Sequence, residues 1–275
     1  MKALILNSGL GSRMGELTKE RPKCMAKIYK QQTILSRQLE MLSDFGITEV
    51  VITTGAFSDK LMEYCTLLEL PLHITFVYNP DYLSTNYIYS IFLAADLLRE
   101  DDILLLHGDL VFEKSVLSGI LEMEYSCMAV CSEVPLPKKD FKAVMHNGTI
   151  HKVGIDLFEN ATAAQPLYKL LVKDWNIWLD EICKFCKENH VKCYAENALN
   201  HVLNYIYLYP YDAKKSLCCE IDTEEDWIRV SEKVKEIEKR TVYMSFSTDL
   251  FHGGHMAILK KAACLGELTV GVLSD

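Results

Sequence analysis

The sequence predicts a three-layer α/β fold built on a mainly parallel sheet. Three observations carry this prediction. Short apolar runs recur along the chain, longer stretches with helical spacing separate them, and a glycine-rich turn follows directly on the first run. Residues 2–7 (KALILN), 49–54 (EVVITT), 73–78 (HITFVY) and 102–107 (DILLLH) read as strands. Between them, residues 33–45, 58–69 and 87–99 carry helix-like spacing, with Gly46 as a C-cap. Strand and helix repeated in this way give parallel strands covered on both faces, whose ligands gather at the carboxyl ends of the strands.

Further along, residues 126–131 (SCMAVC) read as another strand, and 141–154 as a hairpin whose Asn147-Gly148 suits a two-residue turn. Residues 174–189 and 196–204 read as helices. After a short run at 205–209, CCEIDTEEDW passes from a strand end into a helix starting near Thr223, with Asp226 completing a variant of the capping box. That charged helix spans 224–240, and a break follows it, so that 1–238 forms one domain and 239–275 a second unit. The second unit reads as strand, turn, helix and strand. It is too small to bury both faces of its own sheet. It is therefore expected either to pack on the preceding domain or to open a domain that continues, and its stop after a strand favours the latter.

With 49% hydrophobic and 24% charged residues, the 275-residue chain has the composition of an ordinary globular protein. There are 29 Lys and Arg against 38 Asp and Glu, a net charge of −9, and no basic block of the kind that tracks a nucleic-acid backbone. Small anions remain compatible, because a few local cations outweigh a distant average. The apolar start at residues 2–7 is too short for a signal core or a membrane span. Ten cysteines are scattered, with one CxxC at Cys183 and Cys186 and an adjacent pair at Cys218 and Cys219. Without a second pair or suitably spaced histidines they read as reduced thiols of a cytoplasmic protein.

The strongest local signal is LNSGLGSRMGELTKERPKCMAKI. Gly9 and Gly11 let the backbone turn tightly and offer N–H groups to phosphate oxygens, while Arg13 and Lys23 supply two spaced cations. The alternative is a plain turn flanked by surface cations. The segment is neither a P-loop nor an intact GxGxxG. Asp109 stands just past an apolar strand, where a carboxylate meets solvent or a metal. Glu220 and Asp222, two residues apart, share a side of an extended segment. Asp109 and Asp222, with Glu220 as a further option, fit the few carboxylates that Mg²⁺ takes beside phosphate oxygens, although each also fits a helix cap.

In their order, GLGSR with RPK, NPDYLSTNYIYS at 79–90, HGD at 107–109, YAENAL at 194–199 and EIDTEEDW at 220–227 resemble the sugar-nucleotide nucleotidyltransferase superfamily over residues 1–238. Within it, the chain is most similar to the choline-phosphate and phosphonate cytidylyltransferase branch. The resemblance implies a Rossmann-like, three-layer, mainly parallel mixed sheet of the GT-A-like nucleotidyltransferase kind, with a truncated β-α-β appendage. It places Leu6, Ser8, Gly9, Gly11, Ser12, Arg13 and Lys23 around the nucleotide, Asn86 and Ser90 near it, and Mg²⁺ on Asp109 and Asp222. Arg13, Lys23, Asp109 and Asp222 would be the catalytic set. Asn7-Ser8-Gly9 stands where the family commonly reads Ala-Ala-Gly, which keeps the turn and adds polar groups. The segment from Val242, with His252 and His255, is similar to the opening of an HxGH-type cytidylyltransferase-like segment found ahead of phosphoenolpyruvate mutase domains.

The activity so implied is Mg²⁺-assisted transfer of CMP from CTP to 2-aminoethylphosphonate, with phosphocholine and then a sugar phosphate as alternative acceptors. A silent nucleotide-binding domain of a fusion protein is the non-enzymatic alternative. An ammonium-bearing acceptor calls for acidic or aromatic neighbours, for which Tyr168, Trp175, Trp178, Glu196 and Tyr207 are candidates, with Asp109 beside the reacting end. Trp175 and Trp178, three apart in a helix, equally suit a core. A nicotinamide enzyme is disfavoured because EVVITTG ends without an acidic ribose ligand. GxSxG and HExxH do not occur, which disfavours esterase and zinc-protease chemistry. The acceptor is thus a small molecule, with neither nucleic acid nor membrane expected as partner, and the oligomeric state is open.

Overall fold

Side chains of the first strand, β1 (Lys2–Asn7), alternate between the two faces of the sheet: Leu4 and Leu6 enter one core cluster, Ala3 and Ile5 the other. Burial on both faces is why this strand reads as a continuous apolar run. The computed structural model describes residues 1–9, 11–246 and 251–272. After β1 come 3-10 segments at Ser12–Thr18 and Lys23–Met25, then β2 (Lys27–Tyr29), β3 (Gln32–Thr33), α1 (Ile34–Asp44), β4 (Glu49–Thr54), α2 (Ser58–Leu67) and β5 (His73–Tyr78). The chain continues with α3 (Tyr87–Leu93), β6 (Ile103–His107), β7 (Leu110–Phe112), α4 (Lys114–Glu122), β8 (Cys127–Cys131), β9 (Lys142–His146), β10 (Thr149–Gly154) and β11 (Ala161–Leu170). It closes with α5 (Val172–Lys187), α6 (Ala195–Val202), β12 (Tyr209–Asp212), β13 (Cys218–Glu220), α7 (Glu224–Ile237), β14 (Thr241–Phe246), α8 (Gly253–Ala263) and β15 (Glu267–Val272).

Among the described residues the main sheet has nine strands, with the path β10-β9-β11-β6-β1-β4-β5 and with β8 and β12 joined through β11. The pairs β1 with β4, β1 with β6 and β4 with β5 are parallel, whereas β11 runs antiparallel to β6, β8 and β9. The sheet is therefore mixed, as expected. From β1 the chain steps to β4 and β5 on one side and returns to β6 on the other. This reversal leaves a crevice at the carboxyl ends of β1 and β6.

Helices α3, α5 and α6 cover one face through Ile88, Ile91, Trp175, Trp178 and Leu199. Helices α1, α2 and α4 cover the other through Leu35, Leu39, Leu61, Leu117 and Ile120. A third cluster places Val230, Val234 and Ile237 of α7 against Met14, Ile28 and Ile34. Helix α7 has both halves of its capping box, Thr223 with Asp226. The hairpin turn at Asn147-Gly148 has φ of 50° and 80°, the left-handed pair that its sequence suggested.

One expectation needs correction. The helix of 87–99 ends at Leu93 and passes into a 3-10 turn at Ala95–Leu97. The short run at 205–209 leads into β12, which begins at Tyr209. In line with the expectation of reduced thiols, all ten cysteines are free, including the neighbours Cys218 and Cys219. No helix of the described residues is long and apolar enough to cross a membrane.

β14 and β15 form their own parallel two-stranded sheet, separate from the main one. The unit touches the main body through Lys261 and Glu122 at 3.1 Å. Tyr243 and Val272 remain largely exposed.

Candidate active site

The crevice at the carboxyl ends of β1 and β6 is a cavity of about 320 Å³. Leu6, Ser8, Gly9, Gly11, Arg13, Lys23, Asn86, Ser90, Asp109 and Asp222 all line it. The structure thus brings together most of the residues expected around a nucleotide. The side chain of Ser12, which was also expected there, lies outside the described residues, as does Leu10.

The two glycines do different work. Gly11 has φ of 63°, and a Cβ added there would stand 2.9 Å from the Cβ of Lys23. Its carbonyl accepts the Thr18 hydroxyl at 2.9 Å, which closes the turn. Gly9 has an ordinary backbone conformation, and nothing stands within 4 Å of where its Cβ would be. Contrary to expectation, the turn itself requires glycine only at Gly11. Gly11→Ala is expected to cost about 1–2 kcal/mol of stability through the left-handed backbone alone, measured by urea denaturation. The crowding against Lys23 adds to this.

Lys23 is the centre of the site. Its ammonium donates to Asp109 Oδ2 at 2.6 Å and to Asp222 Oδ1 at 2.7 Å. Arg13 Nη2 meets the same Asp222 oxygen at 2.9 Å. Burial alone would lower the pKa of Lys23, but the two carboxylates raise it above the usual lysine range. Burial would raise that of Asp109, yet Lys23 and then His107 hold it below the carboxylate range. Neither aspartate is a helix cap: Asp109 leads into β7, and Thr223 caps α7.

Two supports place the aspartates. Strand β13 pairs antiparallel with β7, setting Glu220 opposite Leu110, so that Asp222 arrives beside Asp109. The buried amide of Gln38 on α1 donates to the carbonyls of His107 and Leu110 at 2.9 and 2.7 Å, bracketing the Asp109 turn. Ser8 is supported similarly: Asn79 Nδ2 donates to Ser90 Oγ, and Ser90 Oγ donates to Ser8 Oγ at 2.8 Å. Asn86 caps α3 by accepting the Tyr87 N–H at 2.7 Å.

Behind Asp109, His107 Nδ1 lies 2.8 Å from Glu220 Oε1. Ligand atoms of His107, Asp109 and Glu220 fall within 4.8 Å of one another, an arrangement that could hold a metal ion. Glu220, however, is engaged by His107 and does not line the cavity, whereas Asp109 and Asp222 do. The front pair is the better donor set: two hard carboxylate oxygens converge on one point, where the Lys23 ammonium stands as the positive charge.

Burial, together with the charge of Asp109, pushes the Glu220 carboxyl up to about 7 against the opposing pull of His107. Burial lowers the pKa of His107, and Glu220 more than reverses this. Both groups therefore hold protons more tightly in the folded chain than in the unfolded one. The stabilising contribution of Glu220 is complete below its unfolded value of 4.5 and is lost as pH rises through about 7, while that of His107 is complete below 6.5 and is lost as pH rises through its raised value. Asp109, shifted downward, loses its contribution only in more acid solution. Thermal melts across this window should show stability falling with pH, and Glu220→Gln should flatten the slope.

The predicted acceptor box is not assembled. Trp175 is 0% exposed, with its indole N–H on the Leu98 carbonyl at 2.9 Å, and Trp178 is equally buried. Both belong to the core beneath α3. Tyr168 is buried too, donating to Glu196 Oε1 at 2.9 Å, while Tyr87 donates to Glu196 Oε2. Glu196 is 2% exposed and serves these two tyrosines, and Tyr207, 73% exposed, does not line the cavity. The aromatic side chains that do line it include Tyr82 and Tyr87, both inside the quoted 79–90 segment. His252 caps α8 by accepting the Gly254 N–H at 3.1 Å, and is not among the cavity residues.

A MobA-like NTP transferase domain matches residues 3–170. The chain belongs to that family. The MobA-like segment contains β1 through β11, and hence Lys23 and Asp109, while Asp222 comes from beyond it. Among curated proteins, the chain is 37% identical over 120 residues to CMP-5'-(3-aminopropyl)phosphonate synthase of Streptomyces rubellomurinus, covering 44% of this chain and 19% of that protein. It is 32% identical over 117 residues to CTP:phosphoglutamine cytidylyltransferase of Campylobacter jejuni, covering 41% and 45%. The matched stretch thus spans less than half the length of either relative. The solved CTP:phosphocholine cytidylyltransferase from Streptococcus pneumoniae superposes with a TM-score of 0.67 at 17% identity, covering 85% of this chain and 98% of that one. That likeness shows that the MobA-like domain shares the α/β nucleotidyltransferase fold.

Proposed function

We propose that the protein is a cytidylyltransferase that moves CMP from CTP to a small phosphonate, 2-aminoethylphosphonate, with release of diphosphate. The observation that carries this reading is the convergence of Lys23, Arg13, Asp109 and Asp222 at the mouth of one cavity, beside the Gly11 turn. The aminopropylphosphonate synthase among the relatives supports the acceptor class. In this reading residues 1–238 carry the transferase, and 239–275 are an appended β-α-β unit.

An acceptor phosphonate is already anionic at neutral pH, so its oxygen attacks the α-phosphorus without a strong general base. The new P–O bond forms in line with the bond that breaks to diphosphate. Repulsion between anions is the main barrier, and the cations of the chain address it. Arg13, with 59% of its side chain exposed, can turn from Asp222 to the phosphates, and Lys23 lies within reach of them. Mg²⁺ held by Asp109 and Asp222 would neutralise phosphate oxygens and stabilise the leaving diphosphate. The Gly11 turn and the supported Ser8 hydroxyl hold the nucleotide, which supplies the alignment that the reaction requires. Tyr82 and Tyr87 line the cavity and are the aromatic residues there that could meet an ammonium group of the acceptor.

Phosphocholine is the second reading, supported by a choline-phosphate cytidylyltransferase of Streptococcus pneumoniae that is 31% identical to the chain over 96 residues. The test is diphosphate release with Mg²⁺ and CTP, comparing 2-aminoethylphosphonate, phosphocholine and no acceptor. Release with the phosphonate alone is expected. Release with phosphocholine alone would transfer the assignment to the second reading, and CTP binding without release for any acceptor would argue for a silent domain.

A further inference from the structure

We propose that Lys23 is a resident counter-ion of the divalent-cation site, and that a polyphosphate must draw its ammonium away before such an ion settles between Asp109 and Asp222. The inference rests on the reading of this cavity as a triphosphate site.

The ammonium lies 2.6 Å from Asp109 Oδ2 and 2.7 Å from Asp222 Oδ1. A hard cation held by the same two oxygens at roughly 2.1 Å would lie within about 5 Å of that ammonium, whichever side it entered from. Two positive charges so close, in a cleft where the lysine side chain is only 12% exposed, compete for one pair of carboxylates. The lysine also starts with an advantage. Its backbone is fixed under the Gly11 turn and behind Pro22, so the carboxylates have a cation permanently at hand. Asp222 is further satisfied by Arg13 at 2.9 Å.

The Lys23 stem is a flexible carbon chain, so its ammonium can turn while the backbone stays in place. Lys23 lines the cavity, so a ligand bound there would offer it alternative acceptors. A triphosphate offers several anionic oxygens there. When the ammonium turns to them, the space between the carboxylates opens and the local charge falls, and both changes favour entry of the ion. Nucleotide and metal are thereby coupled: each binds more tightly once the other is present.

The probe is Mn²⁺, followed by the electron paramagnetic resonance of the free ion, with the full chain and no nucleotide. Lys23→Met should bind Mn²⁺ at least tenfold more tightly than the unchanged protein, and Lys23→Arg should not. Lys23→Gln serves as a second neutral variant should the methionine protein fail to fold. With α,β-methylene-CTP present, the unchanged protein should gain Mn²⁺ affinity and the neutral variants should gain at least tenfold less. A lysine that merely sits nearby would not reduce that coupling. Equal Mn²⁺ affinity for the unchanged and neutral proteins, or undiminished coupling in the neutral ones, would overturn the proposal. Asp109→Asn in the Lys23→Met background separates the two levels. If it leaves Mn²⁺ binding intact, the ion is elsewhere and the underlying site reading fails. If it removes binding while the lysine variants show no gain, only the role of Lys23 fails.

Discussion

Replacing Asp109 by asparagine is expected to lower CTP-dependent diphosphate release by about a thousandfold while the protein remains folded. Asparagine preserves the shape of the side chain and the backbone turn that Gln38 brackets through the His107 and Leu110 carbonyls. It cannot carry the charge. Among the described residues Lys23 would retain Asp222 alone as an ionic partner, and one of the two carboxylates proposed for Mg²⁺ would be lost. A single preorganised group aimed at developing charge is typically worth about a hundredfold to a thousandfold. Under the proposed function Asp109 would organise the lysine, the metal and the phosphates together, so the upper end applies. The measurement is diphosphate release at saturating substrates, beside a thermal melt of the same preparation. Activity within tenfold of the unchanged protein would remove Asp109 from the chemistry.

Trp175→Ala is expected to destabilise the protein by about 3–5 kcal/mol, measured by urea denaturation. The indole is wholly buried, packs edge to face on Trp178 with ring centroids 5.7 Å apart, and satisfies the Leu98 carbonyl. Alanine leaves a cavity and an unpaired buried acceptor. Trp175→Phe keeps most of the packing and loses only the hydrogen bond, so it should cost less and leave KM for the acceptor unchanged. A raised acceptor KM in the phenylalanine variant, with stability preserved, would restore Trp175 to the binding site.

Of the strands that sequence reading placed correctly, β1, β4, β6 and β8 are buried on both faces and therefore write themselves as mostly apolar runs, while β5 is only partly buried and shows itself through its β-branched and aromatic residues. β11, the longest strand, went unread because Ala161–Leu170 is alanine-rich and interrupted by Pro166. Its register against β8 shifts between Ala164 and Tyr168, where the proline has no N–H to give. Short strands such as β7 and β13 carry too few residues to show a period, and only their pairing gives them meaning.

The cavity was legible wherever the chain leaves a strand. Gly11, Lys23 and Asp109 announce themselves by residue type at a strand end, which is a local signal. Gln38 carries no such mark, since a glutamine in a helix looks like surface until the helix is packed on the β6 end. The acceptor box failed for the opposite reason. Trp175 and Trp178 have the spacing of a buried helix face, and the tertiary packing of α5 uses them in that way. Glu196 is likewise drawn inward by the hydroxyls of Tyr87 and Tyr168.

The ion cluster around Lys23 joins residues that lie 86 and 199 positions apart along the chain. Closing the longer of these loops requires β13 to dock on β7, a pairing that lies outside the main sheet. During refolding, the sheet could therefore reach its native secondary structure while the cluster is still incomplete. Circular dichroism would then recover before catalysis does. The same geometry makes the strand pairing at residues 218–220 a weak point from which function can be lost ahead of form: loosening a few backbone hydrogen bonds there would release Asp222 while the main sheet stays intact.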